Sequence, residues 1–160
     1  MFGFFRRRRS ADVEAVAALL FAHVEGQLRE SGQLGVNPVS PVARSFWLHD
    51  YVTGLVAAAE RAGRLRRSDG RRAFTGFMVD VVGMPPSAAQ SSYSTSRSYC
   101  HSNPKEEAFL EGIADGEALL SGQKPQPSIA LRFSAPHSVE DPPQQAARVT
   151  MLRPDDPPTP

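Results

Sequence analysis

Residues 40–63, SPVARSFWLHDYVTGLVAAAERAG, constrain the fold more than any other stretch of this chain. Ser40 suits an N-cap, and Pro41 suits the first helical position, where its missing N–H costs nothing. Gly63 stands where a left-handed C-terminal cap falls. At ~100° per residue, Trp47, Leu48, Tyr51, Val52, Leu55, Val56, Ala58, Ala59 and Ala62 cover about half of the helix circumference. A surface helix of a globular protein carries a narrower apolar stripe. The spacing therefore predicts a central helix, touched by partners on two sides.

Three further helices follow from periodicity and caps. Ser10–Gly32 carries Val13, Val16, Ala17, Leu20, Val24 and Leu28 on one stripe, with Ser10 as candidate cap and His23 on the flank as a structural histidine. Ala15, Ala18 and Ala22 lie opposite, small enough to admit another helix or a second copy of the protein. A third helix starts near Ser68 or Asp69, shares a face among Phe74, Phe77, Met78, Val81 and Val82, and ends at Gly83 and Pro85-Pro86. A fourth begins at Ser102 or Asn103, with Pro104 in first position and Glu106 and Glu107 in the first turn. Its apolar face joins Phe109, Ile113, Leu119 and Leu120. Gly112 and Gly116 lie one turn apart on that side, each costing up to ~1 kcal/mol of helix propensity. Close approach of another backbone compensates, and Gly54 with Ala58, beside Trp47, is the counterpart on the central helix.

At 160 residues the chain is long enough for one domain with a real core. The sequence reads as an all-α, compact bundle of about four main helices over residues 10–122. A basic stub, residues 1–9, precedes it and a proline-rich tail, residues 123–160, follows. Residues 87–102, SAAQSSYSTSRSYCHS, hold seven Ser, one Thr and two Tyr, the composition of a long loop or linker that can accept phosphate. The tail holds nine of the 14 prolines and reads as disordered. Within it, residues 128–134, SIALRFS, predict a short strand or a clip onto the helices.

The formal net charge of +1 hides an asymmetry. Residues 1–72 carry 12 Arg and 7 acids, a balance of +5; residues 73–160 carry 6 basic residues and 10 acids, a balance of −4. Arg outnumbers Lys 16 to 2, a bias that fits a GC-rich bacterial genome. The lone Cys100 fits a reducing compartment, and no apolar run approaches the ~18 residues of a spanning helix. The localisation read from this is cytoplasmic, with peripheral membrane contact as the alternative.

Two arginine segments are the candidate binding sites. Phe4, Phe5, Arg6, Arg7, Arg8 and Arg9 combine apolar and cationic groups suited to a membrane interface or an anion. Arg61, Arg64, Arg66, Arg67, Arg71 and Arg72 surround the turn between the second and third helices, an αα-hairpin with an arginine tip. Arginine grips phosphate and carboxylate bidentately. The tip has no interleaved aromatics for base stacking. Glu106, Glu107, Glu111, Asp115 and Glu117 on the last helix supply charges that can neutralise it.

Nothing points to catalysis. His49-Asp50 lacks the further ligands a metal site needs, and His49 reads as polar flank beside Thr53. Cys100-His101 lacks an orienting third group and a scaffold. Glu111 and Asp115 read as solvated acids. Phosphate-loop, dinucleotide-binding, zinc and nucleophile-elbow patterns are all missing. The expectation is a small non-enzymatic interaction or accessory protein, without cofactor, that binds a protein partner and can self-associate. The alternative is a peripheral binder of anionic membrane or nucleic acid through residues 6–9 and 61–72.

Overall fold

The computed structural model describes residues 2–33 and 45–134, and among them every regular element is a helix. Six helices follow in order: α1 (Phe2–Glu30), α2 (Phe46–Arg61), α3 (Arg67–Asp80), α4 (Pro86–Ser102), α5 (Glu107–Leu120) and α6 (Ser128–Ser134).

α2 is the axis of the bundle. Twelve consecutive residues, Leu48 to Ala59, are buried, so the helix is covered on all sides. α5 makes its most extensive contact, with α4, α3 and α1 completing the sheath. Its start lies later than the sequence implied. Ser45 is the N-cap, its Oγ accepting from the Leu48 N–H at 3.3 Å; Ser40 and Pro41 fall outside the described residues. The helix ends at Gly63, whose φ of 68° is the left-handed geometry that favours glycine, with the Arg64 N–H donating to the Ala59 carbonyl at 2.9 Å.

The α2–α5 interface is built on backbone. A Cβ on Gly54 would meet the Phe109 carbonyl oxygen, and one on Gly112 would meet the Tyr51 carbonyl oxygen and lie 3.1 Å from the Gly54 Cα. One turn on, a Cβ on Gly116 would lie 2.7 Å from the Ala58 Cβ. The two helices thus touch along Gly54, Ala58, Gly112 and Gly116 with no layer of side chains between them. Trp47 closes one end of this contact, stacked on Tyr51 at 5.1 Å, with Phe133 edge-on at 6.1 Å and the Arg132 guanidinium 5.7 Å above its ring.

The remaining core comes from Val13, Val16, Leu20, Val24 and Leu28 of α1 and from Phe74, Phe77 and Met78 of α3. Phe21 stacks on Phe77 at 4.8 Å and joins the two helices. Ala15, Ala18 and Ala22 are exposed.

Further boundaries depart from the sequence reading. The α1 backbone is already helical at Phe2 and passes through Ser10, which is therefore no cap. Arginine is compatible with a helix, and the run simply extends α1.

Residues 87–102 are not a loop. They form α4, with Pro86 at the helix start and Ala89, Tyr93, Ser96 and Cys100 buried at four- and three-residue steps. Serine is only modestly worse than alanine as a helix former, so one packed face outweighs the composition.

The last long helix starts at Glu107, three residues beyond Pro104. Asn103 instead closes α4, its N–H bonded to the Tyr99 carbonyl at 2.8 Å and its Nδ2 to the same oxygen at 3.0 Å. Finally, residues 128–134 are a helical turn rather than a strand, clipped onto α1 with Ile129 fully buried. Residues 135–160 lie outside the described part.

Candidate functional site

The arginine tip grows directly from the α2–α3 turn. Leu65, 5% exposed, pins the turn to the core, while Arg61, Arg64, Arg66, Arg67, Arg71 and Arg72 are all exposed around it. The Arg66 N–H reaches Asp69 Oδ2 at 3.4 Å, so Asp69 serves the start of α3 from its third position rather than as the cap. Among the described residues none of the six arginines is held in an ion pair. Among the described residues no acid of α5 pairs with them, and Asp115 is turned into the core.

The fold divides the tip in two. Arg64 and Arg66 border a cleft of about 340 Å³ that also holds Asp12 and Asp69, so opposite charges already share that space. Arg67 and Arg71 face the other way, onto α4. There they line a groove of about 800 Å³ with Ser68, Tyr93, Ser94, Arg97, Ser98 and His101, and no carboxyl group is in its wall. Its volume falls in the range of small-ligand clefts.

The α4 side of this groove is pre-arranged. Arg97 Nη2 donates to Glu60 Oε2 at 2.6 Å and Nη1 to the Tyr93 hydroxyl at 3.3 Å. Its side chain is 27% exposed, and it is anchored at two points while still open to the groove. Burial pulls its pKa down, but the hydrogen bond it donates to Glu60 and the electrostatic influence of Tyr93 and Glu60 outweigh this, and the net direction is upward. Glu60 lies beneath α3, where Gly70 leaves room for it: a Cβ on Gly70 would meet Glu60 Oε1 at 2.6 Å. Glu60 Oε1 has no hydrogen-bond partner among the described residues. Gly70 thus lets α3 sit low enough on α2 for Arg67 and Arg71 to face Arg97 across the groove.

Sequence reading found Arg67 and Arg71 but missed Tyr93, Ser94, Arg97, Ser98 and His101, because it placed them in a loop. The available signal was the Tyr93, Arg97, His101 series at four-residue steps, which aligns three functional groups on one helical face.

A second polar constellation lies at the opposite side of α2. Tyr51 Oη donates to Asp115 Oδ2 at 2.6 Å, and Asp115 also accepts from the Gln126 N–H at 3.0 Å and the Ser128 hydroxyl at 3.4 Å. Asp115 is 4% exposed, which corrects its reading as a solvated acid. Gln27 Oε1 accepts from the N–H groups of Ile129 and Ala130 at 2.9 and 3.1 Å, which fixes the amide orientation. Its Nε2 therefore donates to His23 Nε2 at 2.6 Å, and His23 must be the neutral tautomer with its proton on Nδ1.

The electrostatics agree with a neutral ring. Burial lowers the His23 pKa against the Asp115 and Glu30 charges, which raise it. Burial, then Asp115, pushes the Tyr51 hydroxyl far up. Glu111 nearby is raised by burial first and by the Glu107 and Asp115 charges next. The Tyr51 hydroxyl, the Asp115 carboxylate and the Gln27 amide are all bonded within this network, which marks it as structural.

The other singled-out groups are enclosed too. His49 and Asp50 are 3% and 0% exposed, and His49 Nδ1 shares a hydrogen bond with Ser92 Oγ at 2.7 Å, so His49 is not a solvated flank. Thr53 donates to the His49 backbone carbonyl instead of its ring. Cys100 is 2% exposed on the packed face of α4. No cluster of three potential metal ligands occurs among the described residues, and no described helix is long and apolar enough to cross a membrane. The side chains of Phe4, Phe5, Arg6, Arg7, Arg8 and Arg9 lie outside the described part.

Fold and groove together define the class: an all-α bundle wrapped around one buried helix, with a basic groove on one flank. Comparison with family models, with curated proteins and with solved structures finds no match to this chain.

Proposed function

We propose that this chain is a small non-enzymatic interaction protein of the bacterial cytoplasm that docks an acidic protein partner through the arginine-rich flank of α3. The observation that supports this is the exposure of Arg61, Arg64, Arg66, Arg67, Arg71 and Arg72, none of them ion-paired among the described residues. Free arginines on one flank offer forked donors to carboxylates at little cost in preorganisation. Clustered charge of one sign also steers an oppositely charged partner. The described polar groups elsewhere in the bundle are spent on packing.

The test is affinity capture on the tagged full chain from its native cell, with protein, phospholipid and nucleic acid all quantified. The expected result is a stoichiometric protein that elutes as salt rises and is lost when Arg66 and Arg67 are both changed to Glu, with the melting temperature of that variant unchanged. Capture of nucleic acid or phospholipid alone, or of a protein that the double variant retains, overturns the proposal.

A further inference from the structure

We propose that the groove between α3 and α4 is a phosphate-recognition site, taking a phosphorylated side chain of the acidic partner. The inference rests on the partner reading above and adds the chemistry of the recognised group. Three observations carry it.

The first is charge. Arg67, Arg71 and Arg97 line the groove, and among the described residues Glu60, bonded to Arg97, is the one acid paired with this set. Three positive charges against one negative leave +2. A phosphomonoester carries between about −1.5 and −2 at neutral pH, so it neutralises the groove, whereas one carboxylate leaves it half-compensated. The wall itself supplies no carboxyl group to repel the anion, and His101 adds a ring nitrogen at its edge.

The second is preorganisation. Arg97 is held by Glu60 and the Tyr93 hydroxyl, so its remaining N–H donors point from a fixed position. Arg67 and Arg71, one turn apart on α3, stand on the facing wall, and the Ser68, Ser94 and Ser98 hydroxyls supply further donors. A tetrahedral group with three acceptor oxygens can use donors from several directions; a planar carboxylate cannot.

The third is what the groove lacks. Its single aromatic, Tyr93, is 4% exposed and bonded to Arg97, so it offers no face for a nucleic-acid base. The large exposed apolar side chains of the described residues, Leu19, Leu110 and Leu131, sit on α1, α5 and α6. None flanks the groove to enter a bilayer. A phosphorylated protein segment therefore fits better than a phosphorylated membrane or nucleic acid.

The experiment titrates the full chain, isotopically labelled, with three probes under identical salt: a short acidic peptide bearing one phosphoserine, the same peptide with Asp in its place, and a 5′-phosphorylated dinucleotide. Amide shifts locate the site. The phosphoserine peptide is expected to bind at least ~10-fold tighter than the Asp peptide, as a charge-assisted multidentate contact requires. It should move the amides of Arg67, Arg71, Ser94, Ser98 and His101.

Arg71→Gln should weaken the phosphopeptide ~10-fold or more and leave the melting temperature unchanged, because Arg71 is exposed and in no ion pair among the described residues. Equal affinity for the phosphoserine and Asp peptides at these amides overturns phosphate recognition while leaving the acidic-partner reading standing. Tighter binding of the dinucleotide, or shifts confined to other surfaces, overturns the proposal as well.

Discussion

The two flanks of α2 use polar groups in opposite ways. On the α5 side, Tyr51, Asp115, His23 and Gln27 bond to one another and to the backbone of residues 126–130. On the α3–α4 side, one acid, Glu60, meets a cluster of arginines and satisfies only Arg97. Buried polar groups are costly unless paired, so a closed network marks a structural element. A surplus of one charge held open to solvent adds little to the fold, and it is this surplus on which the proposed partner contact rests.

The sharpest way to break this contrast is at the α2–α5 contact. Gly112→Ala puts a Cβ against the Tyr51 carbonyl and the Gly54 Cα, neither of which can swing aside as a side chain would. A loss of ~3 kcal/mol or more in denaturant unfolding is expected. Gly26→Ala, in α1 with open space around it, should instead gain ~0.5 kcal/mol. Equal effects at the two sites would show that α2 and α5 do not meet backbone to backbone.

A smaller effect tests the closed network. Asp115→Ala strands the Tyr51 hydroxyl, the Gln126 N–H and the Ser128 hydroxyl and should cost ~2–3 kcal/mol. Exposed arginines of the tip, such as Arg72, should lose less than ~0.5 kcal/mol on truncation. A fully tolerated Asp115→Ala would refute the structural role given to that network.

The smallest effect concerns pH. The folded chain holds His23 neutral, with a pKa below its ordinary 6.5, so the unfolded chain binds more protons in the window below that value. Stability is then fully present above pH 6.5 and falls as pH drops through the ordinary value toward the lowered one. Glu111, raised by burial, acts in the opposite sense nearer its ordinary 4.5. Thermal melts from pH 7.5 to 5 should show the fall, and His23→Gln should flatten it; an identical slope in both proteins would sink the assignment.

The same contrast explains what could be read from the sequence. The central helix and the glycines of its α5 contact are legible because close packing demands small residues at fixed spacing, and Gly54, Gly112 and Gly116 have no other reason to sit in helices. The exposed tip arginines are legible as a run. Their division between two clefts is not, since it depends on how α3 crosses α2 at Gly70. α4 was hidden because serine carries no hydropathy signal, leaving Ala89, Tyr93, Ser96 and Cys100 to mark a face with only moderately apolar groups. Asp115 was misread because an acid gives no local sign that its partners, Tyr51 and Gln126, arrive from elsewhere in the chain. Caps misled in a similar way: Ser10 and Asn103 have the right chemistry, but one is passed over by a longer helix and the other ends its predecessor.

The bond from Gln27 to Ile129 has a temporal meaning as well as a spatial one. It joins residues 102 apart in the chain. Loop-closure entropy grows only logarithmically with such a span, so the final contact is weakly opposed, but it must wait for its partner to exist. During synthesis from the N-terminus, α1 emerges first and can gather α2 and α3 against its apolar stripe. Its Gln27 end stays unsealed until residue 130 has left the ribosome. The first of these six helices to be made is thus the last one finished.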